Sequence, residues 1–150
     1  MKRVIILLLI CIPIVAAATS STPQTVAVTE LGGFEIKTQN WKINNFGFRP
    51  IEISGDIFFK NSSPGISFHA TATNISTDNR NCTIYVVCLN DDGGLVASFL
   101  LMPDIKYMPP KMSNILKAEG HVEAGEEKKI SKIVVRVVEG PAWEKAPKPR

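Results

Sequence analysis

Between Ile66 and Thr73 apolar and polar residues alternate without a break. Ile66, Phe68, Ala70 and Ala72 fall on one side; Ser67, His69, Thr71 and Thr73 fall on the other. A period of two puts successive side chains on opposite faces of a strand, so the segment predicts an antiparallel strand with one face in a core and one in water. The run from Cys82 to Leu89 is apolar on both faces and reads as a central strand. The Asn90-Asp-Asp-Gly-Gly94 cluster behind it is a hairpin signal, which makes Leu95 to Met102 the return strand. Ser113 to Val122 gives another strand. In the last, Ile130 to Val138, Ile133, Val135 and Val137 alternate against Lys132, Val134 and Arg136.

The first half is less regular. Val26 and Val28 share a side before Gly32-Gly33 breaks the pattern. Phe34, Ile36 and Thr38 then alternate with Glu35, Lys37 and Gln39. Trp41 and Ile43 continue that parity after a kink, and Asn44-Asn45 and Arg49-Pro50 are turn signals. Ile51, Ile53, Ile57 and Phe59 outline a strand or hairpin around Ser54-Gly55-Asp56. By composition Asn61 to Gly65 is a turn, Asn74 to Asn81 a polar loop, and Ala124 to Glu127 a turn. Pro103, Pro109 and Pro110 mark a longer loop. No stretch has the period and caps of an amphipathic helix. About seven or eight short strands with frequent turns predict an all-β chain, an antiparallel immunoglobulin-like β-sandwich.

Met1, Lys2 and Arg3 precede an apolar run from Val4 to Val15, and Ala16 and Ala18 then form a small-residue cleavage pattern. This predicts an export signal over residues 1–18 with cleavage before Thr19. A retained membrane anchor needs about 20 apolar residues, more than Val4 to Ala18 supplies. Cys11 follows Ile10 inside the apolar run, which does not fit a lipid-attachment site. The chain then divides into a flexible lead over 19–30, a β-sandwich domain over 31–139 and a disordered Pro/Lys-rich tail over 140–150.

The formal charge of +3 includes Lys2 and Arg3, and Lys145, Lys148 and Arg150 sit in the tail. The body is close to neutral and gives no electrostatic case for nucleic acid. Cys82 and Cys88 stay after export. On one strand they would stand about 20 Å apart, beyond the roughly 7 Å that a disulfide spans, so two buried free thiols are expected. A bridge to another molecule through either one is the alternative.

The alternating strand ending in Thr73-Asn74-Ile75-Ser76, the string Ile84-Tyr-Val-Val-Cys-Leu-Asn-Asp-Asp-Gly93 with Leu95-Val96 after it, and Ala124-Gly125-Glu126 before the closing strand resemble the exported immunoglobulin-like sandwich domains of the FxLYD type. The resemblance runs from about Ile66 to Val138. It implies an extracytoplasmic binding or spacer module, and the family has no catalytic residues to carry over.

No cofactor motif is present, and chemistry has few candidates. Nucleophilic catalysis needs a nucleophile, a base and an orienting group. His69 and His121 are the histidines, and no nucleophile elbow accompanies either. Met102, Met108 and Met112 cluster around the Pro-rich loop, with His121 on the following strand. Thioether and imidazole ligands suit Cu(I), so copper handling is the alternative function, although methionine is also ordinary filler over a core. Asp91, Asp92 and Asp104 give a weaker suggestion of Ca²⁺, because aspartate is expected in a tight turn for backbone reasons. Asn61, Asn74 and Asn81 begin Asn-x-Ser/Thr triplets, the acceptor pattern for N-glycosylation. Trp41, Phe46, Phe48 and Arg49 make either an exposed aromatic patch or part of the core. The expectation is a non-enzymatic binding or structural module outside the cytoplasm whose partner is an unidentified protein or envelope component. Sheet edges and the 102–112 loop are its contact surfaces, because loops on a rigid scaffold carry function.

Overall fold

A computed structural model describes residues 19–55 and 62–140. The signal segment, the tail beyond Gly140, and Ile57, Phe59 and Asn61 lie outside the described residues. The strands are β1 (Thr19–Ser20), β2 (Gln24–Ala27), β3 (Ile36–Lys37), β4 (Trp41–Ile53), β5 (Ser63–Asn74), β6 (Cys82–Leu89), β7 (Leu95–Leu101), β8 (Ser113–His121) and β9 (Lys132–Glu139). Short 3-10 turns occupy Val28–Gly33 and Glu126–Lys129. The chain is all-β, and its strands form two antiparallel sheets. A terminal sheet has the order β1-β9-β6-β7, with β2 beside β1 on the same edge of β9; a middle sheet has the order β3-β4-β5-β8.

The alternation read from the sequence decides what lies between the sheets. Ile66, Phe68, Ala70 and Ala72 of β5 are buried, as are Ile84 and Val86 of β6 and Ile133, Val135 and Val137 of β9. Trp41, Ile43, Leu101 and Leu116 complete a single core. The rings of Phe68 and Phe99, one from each sheet, stack with centroids 5.7 Å apart. Gly120 lets β8 pass close to Phe99, since a Cβ there would stand 3.2 Å from Phe99 Cε1. Trp41 and Phe46 are buried and Phe48 is packed against the core, so the exposed aromatic patch is not formed.

Three local expectations change. The lead over 19–30 is not loose: β1 and β2 pair with β9, and Val26 enters the core. Its polar residues disguise a strand that needs only one buried side chain because it sits on a sheet edge. The Asn44-Asn45 and Arg49-Pro50 turns are absorbed into β4. Asn45 takes a φ of 52°, and the register with β5 shifts between Asn44 and Gly47, so the first turn is a β-bulge. β3 pairs only with Lys42 and Ile43, so β4 is an edge strand beyond them, which is where a sheet tolerates proline. The turn expected over Asn61 to Gly65 also contracts, because β5 already begins at Ser63.

Cys82 and Cys88 are buried and unbridged on the core face of β6. Burial pushes the Cys82 thiol up to about 12, with the charge of Glu139 adding to it, and pushes Cys88 up to about 11. A bridge to another molecule through either sulfur would require the core to open.

Candidate binding surface

The loop between β7 and β8 is built around one buried asparagine. Asn74 ends β5 with no solvent exposure. Its Nδ2 donates to the carbonyl oxygens of Met108 and Asp78, both at 2.8 Å. Its Oδ1 accepts from the Ser76 amide at 3.0 Å and the Ser76 hydroxyl at 2.7 Å. Its backbone joins in, because the Asn74 amide donates to Met112 O and its carbonyl accepts from the Lys111 amide. Arg80 and Met108 exchange a pair of backbone hydrogen bonds, and Asn81 Nδ2 donates to Lys106 O at 3.0 Å. The loop is therefore held from the 74–81 side between Lys106 and Met112, and Met108 inserts into the core as its anchor.

Fixing the backbone this way leaves the other large side chains outside. Met102 is 54% exposed, Ile105 36% and Met112 38%. Ile105, Tyr107, Pro109 and Met112, with Lys106, line an open recess of about 540 Å³. On the outer face of the terminal sheet Tyr85 and Leu100 are exposed cross-strand partners. Ile75, at the same pole, is exposed as well. An apolar recess of this kind on a folded chain is a candidate contact surface.

The structure disperses the residues considered for copper. Met108 is in the core, Met112 lines the recess, Met102 is exposed, and His121 stands at the far end of β8, about 25–30 Å from Met112 at strand rise. Among the described residues, no group of three or more His, Cys, Asp and Glu is placed to hold a metal ion. Asp91 and Asp92 sit in the exposed β6–β7 turn, at the pole opposite Asp104. Asn90 shapes that turn by accepting the Gly94 amide on its Oδ1 at 2.6 Å, while Gly93 supplies a φ of 81°. His69 is half-buried on the outer face of β5. His121 Nδ1 lies 2.9 Å from the Ser63 hydroxyl at an exposed strand end.

The glycosylation triplets fare differently from one another. Asn61 is outside the described residues. The Asn74 side-chain amide is occupied by the carbonyls of Met108 and Asp78, so in the folded chain it is a structural group and no free acceptor. Asn81 is half-buried and holds Lys106 O. Sequence reasoning passed over Asn74 as a loop organiser. The signal was present in Asn74-Ile-Ser76, because asparagine followed two residues later by serine is also the pattern of a side chain capping its own turn.

No family profile matches the chain, and no curated protein matches it. Among solved structures, the enzymatically active domain of tailspike protein 4 of bacteriophage CBA120 is similar over 67% of this chain and 17% of its own. Identity there is 13% and the TM-score is 0.26, a likeness that carries no argument about this chain.

Proposed function

We propose that the chain is a non-enzymatic binding or structural module that works outside the cytoplasm and meets a protein or envelope partner through the 102–112 loop. The observation that carries this reading is the combination of an exposed apolar recess with a backbone tied down at Asn74. Surface of that kind has little ordering entropy left to lose on binding. Sequence supports the location through the n-region, apolar run and Ala-x-Ala pattern of residues 1–18.

An immunoglobulin-like sandwich of the FxLYD type is the fold we propose. Hairpins β4–β5 and β6–β7 stay within a sheet, while the connections β5–β6, β7–β8 and β8–β9 cross between sheets. Such alternation is Greek-key in character.

The test is cross-linking in the native envelope fraction, with the wild-type chain against an Ile105→Lys/Met112→Lys variant. A partner captured by the first and lost by the second supports the loop. Equal capture by both excludes it as the contact surface. Amino-terminal sequencing of the same material should begin at Thr19, and a start at Met1 would remove the cleavage expected after Ala18.

A further inference from the structure

On the outer face of the middle sheet, cationic side chains converge with no ion-pair partner among the described residues. Register places Gly47, His69 and Lys117 in one cross-strand row and Arg49, Ser67 and Glu119 in the next. Arg49, Ser67, His69 and Lys117, with Ile115, line a depression of about 260 Å³. The ion pairs among the described residues are Lys42–Glu35, Arg80–Asp78 and Lys129–Glu126, so neither Arg49 nor Lys117 is paired there. Ser67 is only 4% exposed, although its strand parity points it outward. Its hydroxyl makes no hydrogen bond to another described residue and still reaches solvent, so it is free to donate to a ligand in the depression.

Gly47 contributes by having no side chain. A Cβ there would come within 2.7 Å of His69 Cε1 and 2.9 Å of Nε2. The imidazole can therefore lie down against β4, beside the depression, and not stand clear of the sheet.

We propose that this depression binds an oxyanion: the phosphate, sulfate or carboxylate group of a ligand. Arg49 offers paired N–H donors in a planar fork, Lys117 a point charge, and Ser67 a neutral donor at the floor. His69 adds a ring N–H, and Ile115 supplies one apolar wall. Glu119, in the Ser67 row on β8, sets a carboxylate beside the site and weakens it. The site shares no residue with the 102–112 loop and does not depend on it.

The experiment is an NMR titration of the purified chain at constant ionic strength, first with sodium phosphate and sodium acetate, then with a heparin oligosaccharide. Saturable shifts of the His69 ring and of the Arg49, Ser67 and Lys117 amides are expected. Arg49→Gln and Lys117→Gln should each weaken binding by about fivefold, and Glu119→Gln should strengthen it. Stronger binding of the oligosaccharide identifies a polymer-borne group, and equal or weaker binding identifies a small free anion; both support the site. Shifts that do not saturate with any probe overturn the proposal. So do equal shifts at Lys42 and Lys128, or affinities that Arg49→Gln and Lys117→Gln leave unmoved.

Discussion

Asn40 and Glu139 join the two sheets at one pole: Asn40 Nδ2 donates to Glu139 Oε2 at 2.6 Å. Asn40 precedes β4 in the middle sheet, and Glu139 is the last residue of β9 and is buried. Glu139 is also the cross-strand partner of Cys82. Glu139→Ala strands the Asn40 amide and should cost about 1–3 kcal/mol in urea unfolding. Glu139→Gln keeps an acceptor and should cost less. It should also lower the Cys82 thiol from about 12, because desolvation stays but the repelling charge goes. Thiolate absorbance during alkaline titration reads that change.

Stability should fall in alkali, and the sign follows from the thiols. Both cysteines hold their protons more tightly in the folded chain than an exposed thiol does. Their contribution is therefore complete below about pH 9 and is lost as the pH rises toward the folded values, by up to about 1.4 kcal/mol per pH unit per thiol. Urea midpoints measured between about pH 8 and about pH 11 should decline, and less steeply in Cys82→Ala/Cys88→Ala. An identical slope in that variant would assign the decline to other groups.

Asn74→Asp should be worse than Asn74→Ala. The aspartate keeps the contacts from Ser76 but cannot donate to Met108 O and Asp78 O, and it sets a charge against both carbonyls. Losses of about 2–4 kcal/mol are expected for alanine, since buried acceptors lose their donor. Hydrogen exchange at Lys111 and Met112 should accelerate in both variants.

Trp41 has no solvent exposure, and its Nε1–H has no hydrogen-bond partner among the described residues. Trp41→Phe removes that stranded donor along with some volume, so the two effects oppose and the net change should be within about 1 kcal/mol. Trp41→Ala has no such offset and should cost about 3–5 kcal/mol by thermal or urea unfolding.

Ile105→Lys and Met112→Lys act on exposed side chains, so each should change stability by less than about 0.5 kcal/mol while abolishing partner capture. A melting curve beside the cross-linking assay separates lost contact from lost fold.

The sequence made the strands legible where burial is one-sided. The Ile66–Ala72 and Ile133–Val137 alternations carry over directly, because a register slip of one residue would turn every apolar side chain to water. It was least legible where a strand lies on an edge. Thr19 to Thr25 looks like a polar lead, and Pro50 looks like a terminator, because edge positions demand neither apolar side chains nor every backbone donor. Gly65 reads as a turn residue, yet it sits within β5 where Ile53 crosses it: a Cβ would meet Ile53 Cδ1 at 2.5 Å. The 102–112 loop was legible as a loop through its prolines, but not its organiser. The Asn74 partners arrive from Met108 and Asp78, across a sequence separation that no local pattern encodes. The oxyanion depression was equally hidden, because Arg49, Ser67 and Lys117 meet only through the pairing of three strands.

Thr19 and Glu139 face one another across the β1–β9 pair, so the chain enters and leaves the domain side by side. Antiparallel hydrogen bonds lie across the strands, and a pull on these two ends would load them one after another instead of all together. The domain should therefore open like a zipper under modest tension, starting at the pole that carries the Met102–Met112 loop.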